Sequence, residues 1–224
     1  MKVELIDSSG GDLSVVNSAR VSFDKESEYE VVNAVGKERE YYLSEQDTKL
    51  VNYLAKHRHD TPFRHNFVQL RCKVPLFLAR QLMKHQAGLT WNEESRRYVD
   101  HTPEFYYPEE WRARPAKSIK QGSSGTVDCN DNIVDAYEDY VHKAEVFYSS
   151  LLKLNVAPEM ARMVLPQSMY VNFIWSGNLL AFFHVYNLRS GEGSQEEAKE
   201  FAQMLKEAIE PEFPVSWKAL EKRI

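Results

Sequence analysis

Gln81, Lys84 and His85, followed shortly by Asn92, Glu93, Glu94, Ser95, Arg96 and Arg97, gather more donors, acceptors and charges into one stretch than packing requires. A phosphate needs guanidinium and ammonium groups, and the edge of a flat polar ring needs amides and carboxylates. The chemistry these side chains allow is the binding of a phosphorylated, ring-bearing ligand. Gln81, Lys84 and His85 stand three and four residues apart, so a helix running through them would present all three on one face. Leu78, Leu82 and the ring of Phe77 would bury the other face. Trp91 to Tyr98 then reads as a polar loop closing the segment.

The rest of the chain must supply the elements that hold this segment. Lys2 to Ile6 alternates and reads as a strand, which Gly10-Gly11 breaks. Asp12 can cap a short helix carrying Leu13, Val16 and Ala19. Asp24 to Tyr41 is charged and aperiodic, and is expected to be mostly loop. Ser44 with Asp47 forms a variant capping box for a helix through Leu50, Val51, Leu54 and Ala55. Between Asn66 and Val74, the residues Val68, Leu70, Cys72 and Val74 fall on one face of a half-buried strand, typical of an antiparallel sheet. Pro75 suits the first position of the helix that follows.

Arg112 to Val127 has the least pattern. Its cations Arg112, Arg114, Lys117 and Lys120 read as a solvated run, and Gly122 to Gly125 as a mobile stretch. A long helix is expected from Asn132 to Leu154, with Ile133, Tyr137, Tyr140, Val141, Ala144, Tyr148 and Leu151 at helical spacing. Pro158 opens a short helix that Pro166 closes, and Met169, Val171, Phe173 and Trp175 alternate as a strand. A further helix covers Gly177 to Leu188. Ser194 and Glu197 suggest a capping box for the next one, and Pro211 and Pro214 delimit a short last helix. With no regular βαβ rhythm, the expected class is α+β: helices packed on a largely antiparallel sheet, in a single domain over residues 1–224.

At 224 residues, with 43% apolar and 27% charged side chains, the composition is that of an ordinary globular domain with a real core. A formal net charge of −5 argues against a general nucleic-acid binder. Two cysteines, Cys72 and Cys129, exclude a disulfide framework and a four-thiolate zinc site, and both are expected reduced, in the cytoplasm. The opening residues turn acidic before any apolar run, so no signal peptide is expected. The apolar run from Leu179 to Val185 is too short to cross a membrane.

The central segment also resembles a known signature. Lys84-His85-Gln86, eight residues, Ser95, and then Arg97-Tyr98 is similar to the Arg-His-Arg…Ser…Arg-Tyr signature of the flavin-dependent thymidylate synthases. Lysine and glutamine replace the two arginines, and the spacer is one residue longer. Four further blocks resemble that family in order: Arg20-Val21-Ser22, the His59 to His65 block around Thr61-Pro62-Phe63, Ala161-Arg162 through Leu165-Pro166, and Asn187-Leu188-Arg189. Together they run through most of the chain.

The resemblance implies an enzyme making dTMP from dUMP, with methylenetetrahydrofolate as carbon donor, NADPH as reductant and FAD as the bound hydride relay. It implies flavin contacts at Ser22, Thr61, Lys84, His85, Gln86, Glu93, Asn178 and His184. It implies dUMP contacts at Gln81, Lys84, Glu94, Ser95, Arg96, Arg97, Arg162 and Arg189. Whether Lys84 meets flavin, dUMP or both stays open. Arg189 is the implied catalytic residue, polarising the uracil ring as charge develops on it, and Arg97 and Arg162 suit the phosphate. Leu180 stands where the family often has an arginine. A homotetramer with active sites assembled from several subunits is also implied.

His57, His59 and His65 with Asp60 suggest a metal in isolation, yet no second carboxylate block accompanies them and no metal is expected. His65 is instead expected to be buried and hydrogen-bonded, and His57 to be a cation at a helix C-terminus. Cys72, mid-strand on an apolar face, is structural, and Ser95 lacks a neighbouring base and reads as a binding residue. Tyr137, Tyr140, Phe147 and Tyr148 mark core or subunit interface. The competing readings are a non-catalytic nucleotide-binding relative with a drifted signature and, on the histidines alone, a metal-dependent hydrolase.

Overall fold

A computed structural model describes residues 1–32, 40–115, 122–127, 129 and 131–223. The chain opens with β1 (Lys2–Ser9), longer than expected because a register shift between Leu5 and Asp7 lets the strand continue past Ile6. Helix α1 (Gly11–Arg20) follows, with Gly10 at its cap in a positive-φ conformation and no side-chain cap. Asp12 therefore does not cap its own helix. The segment expected to be mostly loop carries a hairpin, β2 (Glu30–Val32) with β3 (Glu40–Tyr42). Helix α2 (Glu45–Lys56) starts as expected, Ser44 Oγ accepting from the Asp47 amide at 3.1 Å. Arg20 Nε and Ser27 Oγ donate to the Asp47 carboxylate at 2.9 and 3.1 Å. Burial opposes ionisation of Asp47, yet the bonds from Arg20, Ser44 and Ser27 outweigh it and hold the carboxyl below its ordinary value.

Strand β4 (Phe67–Pro75) has the alternation read from the sequence, with Val68, Leu70, Cys72 and Val74 buried. Pro75 is its last residue and the cap of α3 (Leu76–Leu82), one position earlier than expected. Next come β5 (Leu89–Glu93), the short hairpin β6 (Arg112–Ala113) with β7 (Ser124–Thr126), and the long α4 (Asp131–Lys153). The short α5 (Pro158–Ala161) precedes β8 (Tyr170–Gly177), which leads into α6 (Leu179–Ser190), α7 (Glu196–Ile209) and α8 (Pro214–Glu221). The sheet runs β1-β4-β8-β5, every pair antiparallel. This is the expected α+β class, a mixed single domain on an antiparallel sheet.

Register places Leu70 opposite Trp175, Cys72 opposite Phe173 and Val74 opposite Val171, so the apolar residues of the two central strands share one face. Onto that face pack Phe182 and Phe183 of α6 and Phe201 of α7, all essentially inaccessible, with Trp217 of α8 behind them. Burial pushes the Cys72 thiol far up, in keeping with a structural role.

Two expected caps have other partners. Asp12 accepts from the amides of Val215 and Ser216, both at 2.8 Å, and so caps α8 from the opposite end of the sequence. Burial raises its carboxyl above the ordinary value despite these bonds. At α7 the cap is Gln195, whose side chain makes no cap bond, while Ser194 Oγ donates to the Leu188 carbonyl at 3.0 Å. Glu197 is no capping-box residue. It is 4% exposed and paired with Arg112 and Tyr106, so Arg112 belongs to a strand and an ion pair rather than to a solvated run. Lys117 and Lys120 lie outside the described residues.

Candidate active site

Helix α3 stops at Leu82, and Met83 closes it. Gln81 is therefore on a helix, but Lys84 and His85 lie in the turn beyond it, not on a shared helical face as expected. The His85 amide still bonds back to Leu82 O at 3.0 Å, which keeps the turn tight. Gly88 has φ +76°, and a Cβ there would meet Asn178 Nδ2 at 2.8 Å, so the turn requires glycine on two counts. The chain then re-enters the sheet. Trp91, expected in a loop, pairs with Trp175 across β5 and β8 and stacks on Phe173 at 3.5 Å.

The turn brings His85 to the end of α6. Arg189 Nε donates to His85 Nε2 at 3.1 Å, and Arg189 Nη2 donates to the Gln81 carbonyl at 3.2 Å. Gln81 Nε2 in turn donates to Gln195 Oε1 at 2.6 Å. Thus Gln81, His85 and Arg189, far apart in sequence, form one junction. His85 must carry its proton on Nδ1 to accept at Nε2. Burial, then the Arg189 charge, lowers the His85 pKa below its ordinary 6.5.

That shift has a sign that can be measured. A histidine lowered in the folded state binds fewer protons there than in the unfolded chain. Its stabilising contribution is therefore present above pH 6.5 and lost as pH falls toward the folded value. Protonation would also set a second cation against Arg189. Rate is expected to hold down to pH 6.5 and to fall on an acid limb below it, and His85→Gln, which keeps an acceptor but does not titrate, should lose that limb. An unchanged limb in His85→Gln would assign it to another group.

After β5 the chain turns through Glu94 to His101. Glu94 is fixed on both oxygens, by Asn172 Nδ2 at 2.8 Å and by His101 Nε2 at 3.2 Å. Arg96 is 6% exposed and turned inward, donating to the His101 carbonyl, so it holds the turn rather than facing outward. Arg97 is exposed, its Nε donating to Ser95 Oγ at 3.0 Å and its guanidinium lying 5.0 Å from the Tyr98 ring centre. Ser95 and Arg97 thus form one outward-facing pair. Arg162 is exposed, its Nε on the carbonyl of Glu159 at 3.3 Å.

A cleft of about 220 Å³ lies where Gly88 meets the start of α6, lined by Arg64, Asn178, Leu180 and His184. Asn178 caps α6, accepting from Ala181 N at 3.0 Å. Burial, then Arg223, lowers the His184 pKa. Leu180 is 1% exposed. Thr61 opens the turn Thr61–Arg64, which packs on α6, while Ser22 is exposed at the end of α1. Lys84, Gln86 and Glu93 are exposed beside these elements.

The histidine cluster resolves differently. His57 is the C-cap of α2, as expected, but His65 is exposed rather than buried, its carbonyl accepting from Ser14 Oγ at 2.8 Å and its amide donating to Pro62 O at 3.5 Å. The expected hydrogen bonding of a core imidazole is replaced by a surface turn. Among the described residues no three His, Cys, Asp or Glu side chains are grouped to hold a metal. Sequence reasoning missed Arg64, Asn172, Gln195 and Glu197. Of these only Glu197 left a signal, as the acid of a capping box with Ser194.

Fold and site together define an α+β protein whose turn after α3 and last turn of α6 converge on a buried-edge guanidinium. The chain belongs to the family described as thymidylate synthase complementing protein, whose model matches residues 4–215. It is 33% identical over 222 residues to a flavin-dependent thymidylate synthase of Thermus thermophilus, covering 99% of this chain and 76% of that one. It is 33% identical over 219 residues to the flavin-dependent thymidylate synthase of Kosmotoga olearia, covering 97% and 88%. A crystal structure of the UMP/dUMP methylase PolB from Streptomyces cacaoi, bound with 5-Br dUMP, superposes with a TM-score of 0.82 at 30% identity, covering 99% of this chain and 94% of that one. A second PolB structure, bound with 5-Br UMP, gives 0.81 at 29%.

Proposed function

We propose that this chain is a flavin-dependent thymidylate synthase, converting dUMP to dTMP with methylenetetrahydrofolate as carbon donor and NADPH as reductant. The observation that carries the reading is Arg189, held by His85 and the Gln81 carbonyl in a chain similar along almost its whole length to such enzymes. Two bonds fix the guanidinium and leave most of its N–H donors for a substrate. Aimed at a uracil carbonyl, they stabilise the negative charge that builds as C5 becomes nucleophilic. Arg97 with Ser95, joined by Lys84 and Arg162, takes the phosphate, and Gln81 and Glu94 bind the rest of the nucleotide. Arg96 acts from beneath, by holding the turn.

Flavin recognition needs donors around the ring and cations near the pyrophosphate. Asn178, His184 and Arg64 supply both kinds around the cleft at the start of α6, and the reading takes Ser22, Thr61, His85, Gln86 and Glu93 as further flavin contacts. Bound FAD supplies a hydride carrier between NADPH and the transferred carbon. A cleft of about 220 Å³ is smaller than ordinary cofactor sites, so we assign the remaining contacts to a neighbouring copy.

The same reasoning favours a homotetramer. Along α4, Ile133, Tyr140, Phe147 and, just beyond it, Leu154 recur every seventh residue and are 50%, 56%, 54% and 76% exposed. Such a stripe suits a helix of a second copy. Light scattering is expected to give four copies for the native chain and fewer for Tyr140→Glu/Phe147→Glu, with flavin lost in parallel. A variant that stays tetrameric would move the interface elsewhere. We place the protein in the cytoplasm, where Cys72 and Cys129 stay reduced. No helix of the described residues is long and apolar enough to cross a membrane.

The test is release of tritium from C5 of dUMP by yellow, purified protein that NADPH bleaches without oxygen. UMP is run beside it, because one similar structure carries 5-Br UMP. Binding of dUMP without release would favour a non-catalytic relative instead.

A further inference from the structure

Arg96 is the one buried cation among the described residues. A buried charge needs a partner. Arg20, Arg112 and Arg223 each meet a carboxylate directly. The hydrogen bonds of Arg96 run instead to a single residue, His101: one to its carbonyl and one, at 3.4 Å, to Nδ1 of its ring.

The opposite charge arrives through that ring. His101 Nε2 lies 3.2 Å from Glu94 Oε1, and the other oxygen of Glu94 accepts from Asn172 Nδ2 of β8 at 2.8 Å. A carboxylate only accepts, so Nε2 carries a proton, and in the neutral ring Nδ1 is left to accept from Arg96. The Thr102 carbonyl, 3.2 Å from Nδ1, then has no proton to take. Carboxylate, imidazole and guanidinium make one chain across the turn, tied to the sheet by Asn172.

This chain sets a direction. The Tyr98 amide donates to Ser95 O at 2.9 Å, which closes a tight turn. With Arg96 pinned inward, its neighbours Ser95 and Arg97 face the other way, where Arg97 Nε donates to Ser95 Oγ at 3.0 Å. An Arg96 released into water would let the turn rotate, and the pair would lose its aim. Binding groups hold their geometry only when the residues beneath them are fixed.

We infer that His101 is a positioning residue of the phosphate site: by joining Glu94 to Arg96 it keeps Ser95 and Arg97 aimed at the anion. The inference rests on the reading that those two take the nucleotide phosphate. His101 acts through Arg96 and not on the ligand.

Titrations of dUMP, and of deoxyuridine, which lacks the phosphate, into flavin-loaded protein test it. In His101→Ala the Kd for dUMP is expected to rise about tenfold, the worth of one hydrogen bond to a charged group. Deoxyuridine should bind as it does to the native chain, and the loss in turnover should fall on KM rather than kcat. His101→Gln keeps a donor and an acceptor on one planar group and should recover most of the affinity. In an Arg97→Ala background, His101→Ala should cost little more, because the group it aims is gone. Native dUMP affinity in His101→Ala overturns the inference. So do equal losses for dUMP and deoxyuridine, a Gln variant no better than Ala, or full additivity with Arg97→Ala. A native protein that binds deoxyuridine as tightly as dUMP would instead overturn the phosphate reading beneath it.

Discussion

Arg189→Ala is expected to lower tritium release from C5 of dUMP by about 10²- to 10³-fold, the usual cost of removing one preorganised donor to a developing anion. The guanidinium is half-buried at the last turn of α6 and fixed by His85 Nε2 at 3.1 Å and Gln81 O at 3.2 Å, so no neighbour can move in to replace it. Arg189→Lys keeps a charge but loses the fork, and should recover only a small part of the rate. The loss should appear in kcat more than in KM, because the interaction strengthens as charge develops. Visible flavin should remain, since the cleft lined by Asn178 and His184 opens from the first half of α6 and Arg189 does not line it. A rate within a few fold of native would move catalysis away from this junction.

The second large effect concerns stability. Arg112→Ala leaves the Glu197 carboxylate, 4% exposed, without its cation. Breaking such a pair costs about 3–5 kcal/mol, and the lower end applies because Arg112 is 21% exposed. For a chain of this length, about 3 kcal/mol lowers Tm by about 6–12 °C. Arg112→Met/Glu197→Met removes the isolated charge as well and should restore much of the loss. The sign with pH also follows. In the native protein Glu197 is lowered, so its contribution is present above the ordinary carboxyl value and lost as pH falls below it. In Arg112→Ala burial still raises the carboxyl, opposed only by the bonds from its own amide, Gln195 and Tyr106, so the carboxyl moves up and the deficit should shrink in acid. Calorimetric melts of both variants at pH 5 and pH 7 check the magnitude and the sign. Equal melting of the single and double variants would show that Glu197 tolerates isolation.

Elements built from local pattern were legible. β4 and β8 each alternate in their own residues, and the Ser44 cap needs a partner only three residues away. Features made by distant partners were not. Glu197 looks like a capping residue until Arg112 arrives from 85 residues upstream. Asn92 and Glu93 hid a strand, because β5 lies at the sheet edge, where one side of the pairing is open and polar side chains cost little. The helix through Lys84 and His85 failed for a related reason. Periodicity permits it, but β5 must begin at Leu89 and Gly88 must approach Asn178, so the chain turns early. The site was legible as blocks of residues, and their convergence was not.

Asp12 carries a consequence for how the polypeptide matures. Its carboxylate reaches the amides of residues 215 and 216, more than 200 positions away, and Ser8 Oγ reaches Glu212. Until residues 214–221 have been made, the Asp12 carboxylate stays in water and the first helix lacks the partner it caps. Folding cannot proceed domain-start to domain-end. It closes only after residues 214–221 emerge, and a ribosome stalled before that point would hold a nascent chain with its opening helix exposed to chaperones and proteases.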